Sequence, residues 1–414
     1  MRILIINSRY FLSAGPEKYM FGLINILKSH GHEVIPFSVK NSRNVKTEYE
    51  KYFADPIGGE DKVYFKEYKK DLKTTSQIIG RQFYSSYVKK KLDVLIKGTK
   101  PDIAYILHHH NKLSPSVIDA CKKNHLPVVM RLSDFFLVCP NIHLYRDHGI
   151  CRECIDKSLF RAVKHRCVKN SFFGSLLKVS AMYFQRLIRI YKKVDYVISP
   201  SLFTKGIVKP YLGENKIIHI PTFVTRSEKY NSHFGNYCLI VGRIEENKGI
   251  LTAIKAIEKT KYTLKVVGKS STGYEKVLKE YITQNKITSV NLLGEKLGEG
   301  LRQIYVNSRF VIIPAEWYEN MPNVALEAMI YSKPVISSEI GSLKELVKNG
   351  YNGLLFKPRN VNQLKEKVKL LFENDSLCKR MGRNSYNEAI EKYDPETHYK
   401  KLIRVFKRAI KEQK

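Results

Sequence analysis

Acidic residues are scarce in this chain: Asp and Glu number 39 against 72 Lys and Arg in 414 residues, a formal net charge of +33. That balance points to polyanionic partners, whether nucleic acid, phosphorylated ligands or an anionic membrane face, and charge alone does not choose among them. Long apolar runs are missing as well. No window approaches the roughly 18 apolar residues that a bilayer-spanning helix needs. The opening stretch MRILIINSRYF is apolar for only a few residues and lacks a small-residue cleavage site, so no signal peptide is expected. The seven cysteines are therefore expected in a reducing cytoplasm, as thiols or metal ligands. Two phosphate fingerprints are also absent. No Gly-x-Gly-x-x-Gly follows the first apolar run, which argues against a dinucleotide cofactor. VVGKSSTG (266–273) fails as a P-loop because Thr263 stands where the pattern needs its first glycine.

Hydrophobic residues make up 43% of the chain, too many for a disordered protein, and the length suits two or three domains. Short apolar runs recur at 2–8, 32–39, 102–107, 127–132, 195–200 and 216–221. They resume after a polar connection at about 225–236, with YCLIVG (237–242), YTLKVVG (262–268), SVNLLG (289–294), FVIIPA (310–315), PVISS (334–338) and GLLF (353–356). Runs without polar alternation, separated by helical stretches, predict parallel strands buried on both faces. The expected fold class is α/β, with two Rossmann-like doubly wound domains, 1–222 and 223–394, facing across a cleft. Residues 41–92 are polar and lysine-rich and receive no assigned structure. Helices are expected over most of 361–412.

In open α/β sheets ligands bind at the carboxyl ends of the strands. Two loops at such ends hold a suggestive set. After YCLIVG come Arg243 and Lys248, bracketed by Gly242 and Gly249. After FVIIPA come Glu316 and Glu319, then Pro322, which suits the first turn of a helix, and Glu327 in its second turn. Glutamate near a helix N-terminus is ordinary on dipole grounds alone. Two cations beside helix N–H donors, however, suit a diphosphate, and a carboxylate one turn on suits a ribose diol. The chain contains no Asp-x-Asp, so Arg243, Lys248 and the helix end are the expected substitutes for a metal at the diphosphate.

VGRIEENKGI, PAEWYENMPNVALEAMIYSKPVISS and GLLF resemble the donor half of retaining nucleotide-sugar glycosyltransferases of family 4, which have the GT-B fold. SAGPEKYMF, LSPSVIDACKKNHLPVV, LSDFFLVCPNIHLYRDHGICREC, VDYVISPS and KIIHIPTFV extend the resemblance through the first half. The resemblance implies sugar transfer with retained configuration from a UDP- or GDP-linked donor to a glycan or lipid-linked acceptor, without a cofactor for catalysis. It implies that Glu319 sits by the transferred sugar, that Glu327 holds the ribose, and that Arg243 and Lys248 neutralise the diphosphate. Met321, Pro322 and Asn323 bring the helix start to phosphate and sugar. Gly15, Gly242 and Gly268 line the donor, with backbone at Gly294 and Glu295 contacting the base. The last helix, 395–414, is expected to cross back to the first domain. Departures are Asn320 where relatives carry glycine, and Ser133 where they carry histidine, which leaves Asp134 as the catalytic candidate on the acceptor side. Tyr105, Ile106 and Leu107 stand where a His-x-His is common. His108–His110 nearby reads as the wet end of a strand.

Cys139, Cys151, Cys154 and Cys167, spaced C-x11-C-x2-C-x12-C, are a candidate structural zinc site. Cys121, Cys238 and Cys378 read as packing residues. The segment 157–194 carries basic residues and no acids, with aromatics interleaved. This suits an amphipathic helix on an anionic membrane, against the ordinary alternative of a core-facing helix with its lysines in water. The expected location is cytoplasmic, peripheral on the inner face of the cell membrane. Competing readings are a catalytically silent sugar-nucleotide binder and a basic nucleic-acid-binding protein. The paired acids beside the cations argue against nucleic acid.

Overall fold

The computed structural model describes residues 1–13, 15–59, 61, 68, 71–224 and 230–413. The strands are β1 Arg2–Asn7, β2 Glu33–Phe37, β3 Ile103–His108, β4 Val128–Arg131, β5 Tyr145–Arg146, β6 Gly149–Ile150, β7 Tyr196–Ser199 and β8 Ile217–His219. They continue as β9 Tyr237–Val241, β10 Thr263–Val267, β11 Val290–Leu292, β12 Phe310–Ile313, β13 Val335–Ser338 and β14 Gly353–Phe356.

Two six-stranded sheets result, in the orders β2-β1-β3-β4-β7-β8 and β11-β10-β9-β12-β13-β14. Every pair within them is parallel: Ile3 stands opposite Val34 and Ile103, and Leu239 opposite Lys265 and Val311. Parallel strands need crossover helices on both faces, so their side chains have no wet side. Ile3, Leu4, Ile5 and Ile6 are accordingly all buried. In the second sheet, Cys238, Ile240, Leu264, Val266, Phe310 and Ile312 pack into one core. Their alternates Tyr237, Leu239, Val267, Val311 and Ile313 pack into the core on the other face.

The chain divides into two compact units. The first comprises Met1–His143, Arg152–Pro221 and His398–Lys414, and the second Leu144–Cys151 and Thr222–Thr397. A division at 222 and 394 has no place for the first piece of the second unit, the β5–β6 hairpin, in which Tyr145 pairs with Ile150. The final helix, Pro395–Lys411, belongs to the first unit from His398 onward and sets His398 between the Tyr19 hydroxyl (2.9 Å) and the Pro221 carbonyl (2.7 Å).

Part of 41–92, namely 60, 62–67 and 69–70, lies outside the described residues, as does 225–229 of the polar connection. The remainder of 41–92 contains two helices that the sequence reading left unassigned. Leu72–Phe83 starts at Asp71, whose carboxylate accepts from the Thr74 N–H at 2.6 Å. Ser86–Thr99 starts at Ser85 and buries Val88, Leu92, Leu95, Ile96 and Thr99, a stripe at helical spacing. Lysines on the open face of the second helix mask that stripe in any average over the segment. Among the described residues, no helix is long and apolar enough to cross a membrane.

Candidate functional site

In the second unit, loops at the carboxyl ends of adjacent strands are laced together through their backbones. Gly242 N–H donates to the Val267 carbonyl at 3.0 Å, Gly268 N–H to Gly294 at 2.9 Å, and Glu316 N–H to Asn247 at 2.9 Å. Two glycines permit this. A Cβ on Gly268 (φ +150°) would lie 1.8 Å from the Gly242 carbonyl oxygen, and one on Gly249 (φ +65°) 1.9 Å from that of Pro314. Neither approach admits a side chain.

On this platform Lys248 and Glu319 meet. Lys248 Nζ lies 2.6 Å from Glu319 Oε1 and 4.7 Å from the centre of the Trp317 ring. The Trp317 indole N–H donates to the same carboxylate oxygen at 2.9 Å, and Ser342 Oγ donates to the Glu319 carbonyl at 2.8 Å. The lysine is thus held by a charge pair and a ring face, and the carboxylate by an ammonium and an indole. Glu316 is tied beneath, accepting from Thr252 Oγ1 at 2.8 Å and from Arg359 Nε at 2.6 Å.

The helix Asn323–Ile330 follows. Pro322 is its N-cap, in extended conformation (φ −74°, ψ 116°), rather than a member of its first turn, and its own side chain makes no capping hydrogen bond. An N-cap proline still costs the helix no hydrogen bond, because its nitrogen lies outside the ladder. Glu327 sits in the second turn, and its Oε2 accepts from the Tyr305 hydroxyl at 2.9 Å. Burial, reinforced by the Glu327 charge, raises that hydroxyl well above the ordinary tyrosine range, so it stays a donor.

The other sequence-predicted residues are distributed as follows. Arg243, half exposed, pairs with the largely covered Glu245 at 2.8 Å, and Lys269 pairs with Glu295 at 2.7 Å on the surface. Gly294 has a left-handed backbone (φ +68°) in the loop after β11. Met321 packs against the core under the Asn323–Ile330 helix. Gly15, at the start of the helix Gly15–Ser29, and Asp134 belong to the first unit. Trp317, Tyr305, Thr252, Ser342 and Arg359 were not singled out from the sequence. Only Trp317 left a trace there, flanked by Glu316 and Glu319 in the quoted AEWYEN.

The histidine triplet corrects the expectation of a wet strand end. His109 is 1% exposed and His110 4%. His109 Nε2 lies 3.2 Å from the Tyr191 hydroxyl, and His110 stacks on Phe136 with ring centres 4.7 Å apart. Burial, with the neighbouring His110, depresses His109 to about 3 and also lowers His108. Burial would raise the Asp134 carboxyl, but the adjacent His110 and His108 and the Phe136 N–H outweigh it and hold the group low.

The four cysteines of the zinc expectation are divided between the units, Cys151 in the second and Cys139, Cys154 and Cys167 in the first. Among the described residues, the group of three or more ligand-type side chains brought within metal-binding reach is His108, His110 and Asp134, not the four cysteines. Cys139 Sγ approaches Asn141 Oδ1 at 2.9 Å. Cys151 closes the hairpin of the second unit through the Leu144 carbonyl. Cys154 and Cys167 pack beside Leu159, Ala162 and Val163 in the first. Cys121, Cys238 and Cys378 are buried, with thiols pushed up by burial.

The basic segment folds as the helix Phe172–Leu187 with short turns on either side. Its buried face includes Lys178, which donates to Gln82 Oε1 and Asn111 Oδ1, both at 2.9 Å. Phe172, Phe173 and Leu187 are exposed, Phe173 at 79%. The expected division, with apolar residues inward and lysines outward, is partly reversed.

Residues 226–388 match the family model described as glycosyl transferases group 1. An uncharacterized glycosyltransferase of Methanocaldococcus jannaschii is 33% identical over 190 residues, 46% of this chain and 53% of that protein. The capsular polysaccharide biosynthesis glycosyltransferase CapM of Staphylococcus aureus is 24% identical over 260 residues, 57% of this chain and 67% of that protein. The chain spans about half the length of the first curated relatives it matches. In structure it is similar to Anabaena HepE in complex with UDP-glucose, with a TM-score of 0.65 at 16% identity over 98% of this chain and 99% of that one. The fold is therefore GT-B, with two Rossmann-like domains, and the residues that match the glycosyltransferase model lie within the second unit.

Proposed function

We propose that this chain is a retaining glycosyltransferase of family 4, of the hexosyltransferase type. It moves a sugar from a UDP- or GDP-linked donor to a hydroxyl of a glycan or lipid-linked saccharide in cell-surface polysaccharide synthesis. The observation that carries this reading is the meeting of Lys248 and Glu319 beside the start of the helix Asn323–Ile330. The helix end and Lys248, with Arg243 in the same loop, offer positive charge to a departing diphosphate. Trp317 and Lys248 fix the Glu319 carboxylate where a sugar attached to that diphosphate would lie. Glu327, held by Tyr305, accepts from the ribose hydroxyls. Gly242, Gly268 and the Gly294–Glu295 backbone line the nucleotide, and Gly15 and Asp134 are assigned to phosphate approach and to the acceptor. Support comes from the capsular relative and from the fold shared with a protein solved with UDP-glucose.

The location follows as part of the same proposal: cytoplasmic, peripheral on an anionic membrane face. Exposed Phe172, Phe173 and Leu187 beside a cationic segment suit insertion among lipid headgroups. The test is a panel of nucleotide sugars incubated with the protein and a lipid extract, scored for donor-dependent product. UDP or GDP should raise the melting temperature. No shift with any nucleoside diphosphate refutes the donor site. A shift without product on any acceptor favours a silent binder.

A further inference from the structure

We infer that the first unit holds a zinc-class divalent metal ion on His108, His110 and Asp134. One ligand atom from each of these residues lies within 4.8 Å of the others. The three come from the end of β3 and the loop after β4, which are neighbours in the sheet.

The decisive observation concerns His110. Its Nε2 stands 3.0 Å from Asp134 Oδ2. Yet neither ring nitrogen makes a hydrogen bond, although both are shut off from solvent. The carboxylate therefore sits close to the nitrogen but off its N–H axis. As a plain ion pair this is poor: a buried imidazolium would leave two donors unsatisfied, at about 1–3 kcal/mol each. Three ligand-type atoms gathered within 4.8 Å, with no hydrogen bond on either His110 nitrogen, suit an ion between them.

The surroundings fit. His108 Nδ1 lies 2.8 Å from Ser8 Oγ, which leaves Nε2 as its ligand atom. Phe136 N–H donates to Asp134 Oδ1 at 2.9 Å, which leaves Oδ2. Phe136 also covers the His110 ring face, an apolar wall of the kind that shields metal centres. Two imidazoles and a carboxylate suit zinc and its first-row neighbours rather than magnesium or calcium, and three protein ligands leave a fourth position for water or a substrate oxygen. All the residues belong to the first unit, so the inference stands apart from the donor reading, and it would replace the acceptor role given to Asp134 above with that of a metal ligand.

The test is zinc and cobalt titration of the metal-stripped full chain. One equivalent of zinc should be retained after gel filtration. Cobalt should give visible absorption of a four- or five-coordinate ion without a thiolate charge-transfer band. Affinity should fall at least about tenfold in His110→Ala and in the shape-conserving Asp134→Asn, and stay unchanged in the Cys151→Ser/Cys154→Ser double variant. Absence of stoichiometric retention overturns the inference, as does a thiolate band or affinity that survives both ligand substitutions. The cobalt spectrum of the unaltered protein decides the question even if a variant fails to fold.

Discussion

The two sheets place polar groups at the same topological position and treat them oppositely. In the second unit Lys248 and Glu319 stand at the carboxyl edge on half-open loops and Glu327 on the helix that follows, each restrained by a partner that a ligand could replace. In the first, His109, His110 and Lys178 stand at the carboxyl edge or on a helix near it, and they are sealed. The carboxyl-edge rule says where polar groups gather. Burial decides whether they await a large anionic ligand or are confined to what fits among them.

The largest effect should come from Lys248→Ala. It removes the ammonium from the Glu319 carboxylate and from any diphosphate, and donor turnover should fall about 10²–10³-fold in kcat. A loss under tenfold would erase the contrast between an electrostatically active edge and a structural one. Acid should next separate the units. A buried histidine whose folded pKa is depressed, like His109 and His398 at about 3, charges more readily when unfolded. Its stabilisation is complete above the unfolded value of about 6.5 and is lost as pH falls toward 3, by up to about 1.4 kcal/mol per pH unit for each group. Hydrogen exchange at pH 5 should therefore show β3 and the final helix opening before β9 and β12; the reverse order would show that the sealed histidines are not the acid-sensitive element.

Gly268→Ala should cost about 1–3 kcal/mol, since the Gly242 carbonyl must yield to the new Cβ. Thermal melting checks this, and an unchanged midpoint would mean that the laced loops are pliant. The smallest effect is expected of Glu327→Ala. Donor affinity should weaken about tenfold while acceptor KM holds, because hydrogen bonds to a charged group contribute about 1.5–3 kcal/mol. Equal loss on both substrates argues against a ribose role.

Fold class was legible because parallel strands need unbroken apolar runs, and those are local. The helices at 72–99 were not: the first buries Thr74 and Arg81 rather than an apolar stripe, and in the second a lysine-rich open face outweighs a narrow buried stripe in any average. Glu319 and Lys248 could be named from strand-end position, yet their mutual contact could not, since 71 residues separate them. The histidines were misread for a related reason. Sequence shows that a strand ends at His108, but not that Phe136 and Tyr191, from elsewhere in the chain, close over its end. C-x2-C spacing drew attention to the cysteines, while in the ligand-type cluster that forms only His108-x-His110 is adjacent in sequence and Asp134 joins it through the fold.

The hairpin Leu144–Cys151 has a practical sequel for anyone dividing the gene. The polypeptide passes from one unit to the other four times, around 143, 151, 221 and 397. A single break near codon 222 would strip the downstream half of its hairpin and the upstream half of its closing helix. Neither half is then a module that recombination can exchange intact, and partner swaps with a relative would have to carry all four junctions.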